Sequence, residues 1–179
     1  NTPEVVSKVL NYEVDVGMIE REVQHRDLEL IPWMEDELIV FCSASHPLAE
    51  KQSLSDRDIK SARWVLREPD SGARHTFDRA LAGLLPEINI YREFRHNEAI
   101  KSAVESGLGI GCLSQVVLQK DFQNGTLVPL KLSRRDMRRR FYFALPHKRH
   151  DKAAVRDWID LCRRQALTDT PRDTPQTSP

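Results

Sequence analysis

Apolar side chains recur at helical spacing near the beginning of the chain and again in its middle. The first stripe predicts a helix with Thr2 as its N-cap and Pro3 in its first turn, ending near Tyr12. The second stripe predicts a helix that starts after Ser71 and closes at Pro86. Its apolar members are Phe77, Ala80, Leu81 and Leu84. Each helix therefore turns one side towards a core.

Further helices are predicted in the second half of the chain. One is capped by Asn97 and stops at Gly107, because glycine favours the left-handed backbone that ends many helices. A short helix is predicted after Ser114. The last helix has an apolar face of Val155, Trp158, Ile159 and Cys162. From Thr168 onwards there is little to bury, so a disordered tail is predicted over residues 168–179.

Short apolar runs rich in β-branched residues alternate with these helices and predict strands. The runs cover residues 14–19, 28–33, 38–43, 63–66, 88–94, 108–113, 127–130 and 141–145. Such alternation is typical of an α/β protein whose sheets are covered by helices. Ligands of these proteins bind beyond the carboxyl ends of the strands, where helix N-termini also gather. The predicted helix starts at Thr2, Ser71 and Asn97 are therefore candidate ligand contacts.

Composition narrows the classes of protein. Lysine plus arginine number 27 and so do aspartate plus glutamate, which leaves no net charge to attract nucleic acid or an acidic membrane. The three cysteines have no paired spacing, which predicts buried thiols in a reducing compartment rather than disulfides or a metal site. No apolar run is long enough to span a bilayer and the start is not a signal peptide, so a cytoplasmic location is predicted.

Two motifs suggest chemistry that their context does not favour. The run Gly107-x-Gly109-x-Gly111 resembles a dinucleotide fingerprint, but it leaves a helix and enters a strand, the reverse of what that site needs. Ser71, His75 and Asp78 are the residue types of a nucleophilic triad, yet one helix cannot arrange them for that chemistry. Ser71 is interpreted as a helix cap or, where it faces a cleft, as an anion contact.

The remaining charged groups give weaker signals. The histidines have no metal-ligand spacing, so no metal is predicted. His96 lies beside the predicted cap Asn97 and is interpreted either as a donor to an oxyanion or as a surface histidine. The basic run at residues 134–140 falls between two strands and is interpreted as a solvated hairpin tip rather than a nucleic-acid contact. No catalytic residue and no cofactor are predicted.

The order of motifs resembles the LysR-type transcriptional regulators. VDVGMIE at residues 14–20 is similar to that family's "D-x-G-[IL]" strand, and LIVF at 38–41 with HPLA at 46–49 is similar to its crossing strand and turn. EPDSGAR at 68–74 resembles its "E-x-x-S-G-x-R" helix start, and NEAIKSAV at 97–104 with GLGIG at 107–111 resembles its helix and "G-x-G-[IV]" strand. The resemblance runs over residues 2–166.

This resemblance implies two Rossmann-like lobes joined by crossing strands, a fold similar to the type 2 periplasmic binding proteins. The implied parts are a partial first lobe at residues 1–43, a second lobe at 44–115, and a return to the first lobe at 116–167. The implied ligand contacts lie between the lobes: Thr2, Glu20, Ser71, Arg74, His96 and Asn97. The winged helix-turn-helix, the linker helix and the first strand–helix unit of the family are expected to be absent.

The implied function is to sense a small anion or carboxylate and to control DNA binding allosterically, without chemistry. The partners expected from the resemblance are the effector, further copies in a homodimer or tetramer, and DNA only through the missing domain; no membrane partner is expected. Two alternatives remain. A solute-binding protein would have the same cleft but a secretory signal, and a small serine hydrolase would use Ser71 and His75.

Overall fold

The computed structural model describes residues 1–147 and 153–169, with side chains as far as residue 165. The helices are α1 (Thr2–Leu10), α2 (Asp56–Ser61), α3 (Gly72–Ala80), α4 (Asn97–Glu105), α5 (Gln115–Asn124) and α6 (Ala153–Asp169), with a 3₁₀ turn at Leu85–Glu87. The strands are β1 (Gly17–Ile19), β2 (Leu28–Ser43), β3 (Arg63–Arg67), β4 (Asn89–Phe94), β5 (Ile110–Ser114), β6 (Leu127–Leu130) and β7 (Arg138–Pro146).

The long strands β2 and β7 connect two lobes. The strand order in the sheet is β1-β7-β2-β5-β3-β4, and β6 pairs with residues 40–43 of β2, outside this order. The first half of β2 pairs with β7 beside β1 and belongs to the first lobe, whereas residues 38–43 pair with β5 and β6 in the second lobe. The predicted α/β fold with crossing strands is therefore confirmed.

Each lobe has apolar cores on both faces of its sheet. In the first lobe α1 covers one face through Val9, and α6 covers the other through Val155 and Ile159. In the second lobe α3 packs on one face, where Trp64 meets Phe77, and α4 and α5 pack on the other. This two-faced burial explains why the second-lobe strands are apolar runs rather than alternating ones.

Two predicted helix caps are wrong by one residue. Asn1, not Thr2, caps α1, because its side chain accepts the N–H of Glu4 at 3.0 Å and Thr2 is already helical and buried. His96 occupies the cap position of α4, without a side-chain hydrogen bond, and Asn97 is the first helical residue. The predictions of a Ser114 cap and of a helix end before Gly107, with φ +83°, are confirmed.

Other element bounds also differ from the prediction. The helix expected to reach Pro86 ends at Ala80, and β1 covers only the last part of residues 14–19. The two strands expected at 28–33 and 38–43 are one continuous strand, because pairing with β7 bridges the polar stretch between them. The last helix reaches Asp169, so the first two residues of the predicted tail are helical, and the rest lies outside the described residues.

The glycine run is explained by close packing, as predicted. A Cβ at Gly109 would lie 2.1 Å from the carbonyl oxygen of Arg63 on β3. A Cβ at Gly111 would lie 2.6 Å from the Phe41 ring. These two glycines let β5 lie against its neighbours, and the run leads from the end of α4 into β5.

The capping box of α2 provides a pH-dependent test of local stability. Ser55 caps the helix and Asp58 accepts hydrogen bonds from Lys51 and Ser55, which together lower the pKa of Asp58 to about 2. Because this pKa lies below its unfolded value, the stabilisation is present above about pH 4 and is lost as the pH falls towards 2. Asp58→Asn should lower the free energy of unfolding by about 1 kcal/mol at pH 7. Urea unfolding at pH 7 and pH 3 measures the difference in the free energy of unfolding between the wild type and Asp58→Asn, which should be smaller at pH 3. An equal difference at both pH values would contradict the low pKa of Asp58.

Candidate functional site between the lobes

Three helices begin at the carboxyl edge of the second-lobe sheet. Strands β3, β4 and β5 are parallel, and each is followed directly by a helix: α3, α4 and α5 respectively. The N-termini of these helices therefore gather at one edge, where unpaired N–H groups and helix dipoles favour an anion. This is the edge that α/β proteins use for ligands.

The start of α3 offers buried backbone donors. Ser71 is buried and its hydroxyl accepts the N–H of Arg74 at 3.0 Å, so its predicted capping role is confirmed. The N–H groups of Gly72 and Ala73 have no hydrogen-bond partner among the described residues, although both residues are buried. Buried donors of this kind are normally satisfied by water or a ligand.

The start of α4 is held by an arginine from β3. Arg67 donates to the side-chain oxygen of Asn97 at 2.9 Å and also pairs with Glu68. The Asn97 side chain is therefore committed to Arg67 and does not cap its own helix. His96 is exposed beside it.

Arg74 does not face a ligand with a free guanidinium. It pairs with Asp78 at 2.9 Å, contacts Glu93, and donates to the carbonyl oxygen of Arg67 at 3.2 Å. Its side chain thus ties α3 to β3 and β4. The hydrolase alternative also loses support, since the Ser71 hydroxyl and the His75 imidazole make no hydrogen bond with each other in the described part of the chain.

A buried ion cluster lies where the lobes meet. Arg139 on β7 donates to Asp36 on β2 at 2.7 Å and to Glu20, which follows β1, at 2.6 Å. The arginine side chain is 5% exposed and the aspartate side chain 1%. Asp36 in turn accepts the hydroxyl of Ser114 at 2.7 Å. Both lobes and both crossing strands contribute to this cluster.

The sequence prediction missed Asp36 and Arg139. The basic run was interpreted as a solvated hairpin tip, which is wrong for residues 138–140 because they lie in β7. The register pairs Glu35, Asp36 and Glu37 with Arg140, Arg139 and Arg138. An acidic triplet in one strand and a basic triplet in another were the available signal, and only their pairing gave it meaning.

Glu20 also contacts the second lobe. A Cβ built on Gly72 would lie 2.5 Å from the Cβ of Glu20 and 2.5 Å from its Oε2 atom. The carboxylate therefore lies against the first turn of α3, and only glycine leaves room for it. The structure therefore places the predicted residue Glu20 beside Gly72, the residue that follows the predicted Ser71.

Thr2 occupies a different place. It lines a groove of about 410 Å³ along α1, together with Val6, Leu10, Arg21 and Val23. None of the second-lobe candidates lines that groove. Thr2 is buried, and its hydroxyl has no partner among the described residues.

The cysteines and possible metal ligands give no sign of chemistry. Burial raises the pKa of Cys42 to about 11 and that of Cys112 to about 12, which keeps both thiols protonated and unreactive. Within residues 1–147 and 153–169, no three His, Cys, Asp or Glu side chains gather as a metal site would require. Over the same residues, no helix has the length and apolar character needed to cross a membrane.

Comparison with known proteins identifies the family. Residues 1–167 match the family model of the LysR substrate binding domain, so the chain belongs to this family. It is 35% identical over 162 residues to the uncharacterized HTH-type transcriptional regulator YeiE of Escherichia coli K12, covering 90% of this chain and 55% of that protein. It is 33% identical over 145 residues to the HTH-type transcriptional regulator CysL of Bacillus subtilis 168, covering 80% of this chain and 48% of that protein. The chain thus spans about half the length of these relatives.

Solved structures agree on the fold. The regulatory domain of Synechocystis PCC6803 CcmR, in complex with 2-PG, superposes with a TM-score of 0.83 at 24% identity, covering 96% of this chain and 82% of that one. The effector binding domain of QuiR, in complex with shikimate, gives a TM-score of 0.80 at 19% identity, covering 95% and 80%. The two-lobed fold is that of LysR effector-binding domains, which is the type 2 periplasmic-binding-protein-like fold.

Proposed function

We propose that this chain is the effector-sensing part of a transcription regulator and that it binds a small anion or carboxylate between its lobes. The observation that carries the proposal is the pair of unpartnered, buried N–H groups of Gly72 and Ala73 at the start of α3. The buried Arg139 nearby is a further hydrogen-bond donor, which in the free protein is paired with Asp36 and Glu20. Ser71 contributes by fixing the first turn. His96 and Asn97 line the surroundings in this proposal, and Arg74 serves as a structural tie. Thr2, a further predicted contact, lies apart from them in the groove along α1.

Binding would act by shifting the relation between the lobes. Strands β2 and β7 are the described connections, so a ligand that prefers one lobe arrangement changes its population by the difference in affinity. A coupling of roughly 1–3 kcal/mol is typical of such systems. We expect this shift to reach DNA through a further domain of the intact regulator, in a homodimer or tetramer in the cytoplasm. No covalent step is involved, and the relatives are regulators rather than enzymes.

The test is a thermal-shift titration of the chain with inorganic phosphate, sulfate and small carboxylates. A ligand that binds only the folded state should raise Tm as its concentration increases. A free ligand concentration of a hundred times Kd adds about 2.7 kcal/mol to the free energy of unfolding. Ser71→Ala should weaken this response, because loss of the cap disorders the N–H groups that bind the anion. Asn97→Ala should weaken it less, since that side chain acts through Arg67.

Ser55→Ala is the matched control. It also removes a serine cap, at a cost of about 1 kcal/mol, but among the described residues the Ser55 side chain hydrogen-bonds only with Asp58 and with none of the residues at the start of α3. Its Tm should fall as in Ser71→Ala while the ligand response stays intact. A response that survives Ser71→Ala as well as Ser55→Ala would place the ligand elsewhere. The absence of any response in folded protein would contradict an anionic effector.

A further inference from the structure

Glu20 holds a position that an anionic effector would need. Its carboxylate lies against Gly72 at the start of α3 and accepts a hydrogen bond from Arg139 at 2.6 Å. Both features attract negative charge. A side chain of the first lobe thus sits at the anion-binding end of a second-lobe helix.

The charges of the cluster distinguish its two carboxylates. Asp36 and Glu20 carry two negative charges against the one positive charge of Arg139, so the set has a net charge of −1. Asp36 is almost fully buried and also bonded to Ser114, whereas the Glu20 side chain is 38% exposed. Asp36 is therefore the permanent partner of the arginine, and Glu20 is the one that can leave.

Resting on the function proposed above, we propose that Glu20 is a built-in competitor of the effector. In the free protein its carboxylate occupies the start of α3 and binds Arg139, and an incoming anion takes over these contacts and displaces it. If Glu20 stayed, the site would carry at least one further negative charge at close range, which is unfavourable. Displacement breaks a contact between the first and second lobes, which links binding directly to lobe movement.

The experiment compares phosphate binding to the wild-type chain, Glu20→Gln and Glu22→Gln by calorimetric titration. Glu20→Gln keeps the size of the side chain but removes its charge, so phosphate should bind about tenfold or more tightly than to the wild type. Glu22→Gln makes the same change in net charge two residues further on, at an exposed position, and should leave the affinity near the wild-type value. Backbone N–H signals of Gly72 and Ala73 in NMR spectra should shift with phosphate in Glu20→Gln.

The other outcomes are distinct. Equal affinity of the wild type and Glu20→Gln would overturn the competitor role and leave the proposed anion site standing. Weaker binding to Glu20→Gln would also overturn it, because Glu20 would then be a direct ligand contact. If neither protein binds phosphate, the competitor role fails, and the thermal-shift titration with sulfate and carboxylates decides separately whether the anion site stands. If Glu22→Gln increases the affinity for phosphate as much as Glu20→Gln does, the increase comes from the change in net charge alone, and the proposal is overturned.

Discussion

Arg139→Met should lower the free energy of unfolding by about 3–5 kcal/mol, because it leaves Asp36 as a buried carboxylate without its cation. Asp36 is 1% exposed and would retain only the Ser114 hydroxyl. Methionine fills much of the volume of the arginine stem, so the decrease in the free energy of unfolding comes mainly from the lost positive charge. Urea unfolding followed by tryptophan fluorescence measures it.

Arg140→Met is the control for this substitution. Arg140 is the next residue of β7 and also pairs with an acidic residue of β2, but its partner Glu35 is 72% exposed and Arg140 itself 50%. Exposed pairs contribute about 0–1 kcal/mol. If both substitutions lower the free energy of unfolding by similar amounts, burial of the Arg139–Asp36 pair does not increase its contribution to stability.

Gly109→Ala should destabilise the chain by roughly 3 kcal/mol, the upper range for forcing an extra carbon into a packed region. The added Cβ would lie 2.1 Å from the carbonyl oxygen of Arg63, and a backbone atom cannot rotate away as a side-chain end can. Strand β5 would have to move away from β3. Thermal unfolding of the purified variant should therefore show a Tm several degrees below that of the wild type.

Gly83→Ala provides the comparison. No atom lies within 4 Å of a Cβ built at that position, and its φ is not in the left-handed range. Because alanine also restricts the unfolded chain, its effect should be neutral or slightly stabilising. If Gly83→Ala and Gly109→Ala lower Tm equally, close packing of β5 against β3 is not the reason that Gly109 is needed.

The sequence predicted features that depend on neighbouring residues. The Ser71 and Ser114 caps, the helix end before Gly107 and the strand Leu127–Leu130 follow from local preferences, and the structure has them. The family resemblance supplied the two lobes and crossing strands. Local signals also failed by one residue at α4, because the Asn97 side chain is taken by Arg67, thirty positions away in sequence.

The charged centre of the candidate site was beyond local prediction. Asp36 lies in an acidic stretch at residues 35–37 that interrupts the apolar pattern of β2, so the sequence predicted two separate strands here. Arg139 lies 103 residues away from it in sequence and was one of several arginines in a basic run. Only the antiparallel register of β2 and β7 brings the two together and buries them.

The pairing of the two crossing strands has a consequence for how the chain can be divided. The N–H of Leu38 donates to the carbonyl oxygen of Met137 at 3.0 Å, so the chain enters and leaves the second lobe at adjacent points. Residues 38–137 are therefore an insertion within the first lobe, with ends that touch. We expect that the insertion, cut at these two residues, can be expressed as a separate unit, and that a turn of a few residues in its place can rejoin the two segments of the first lobe.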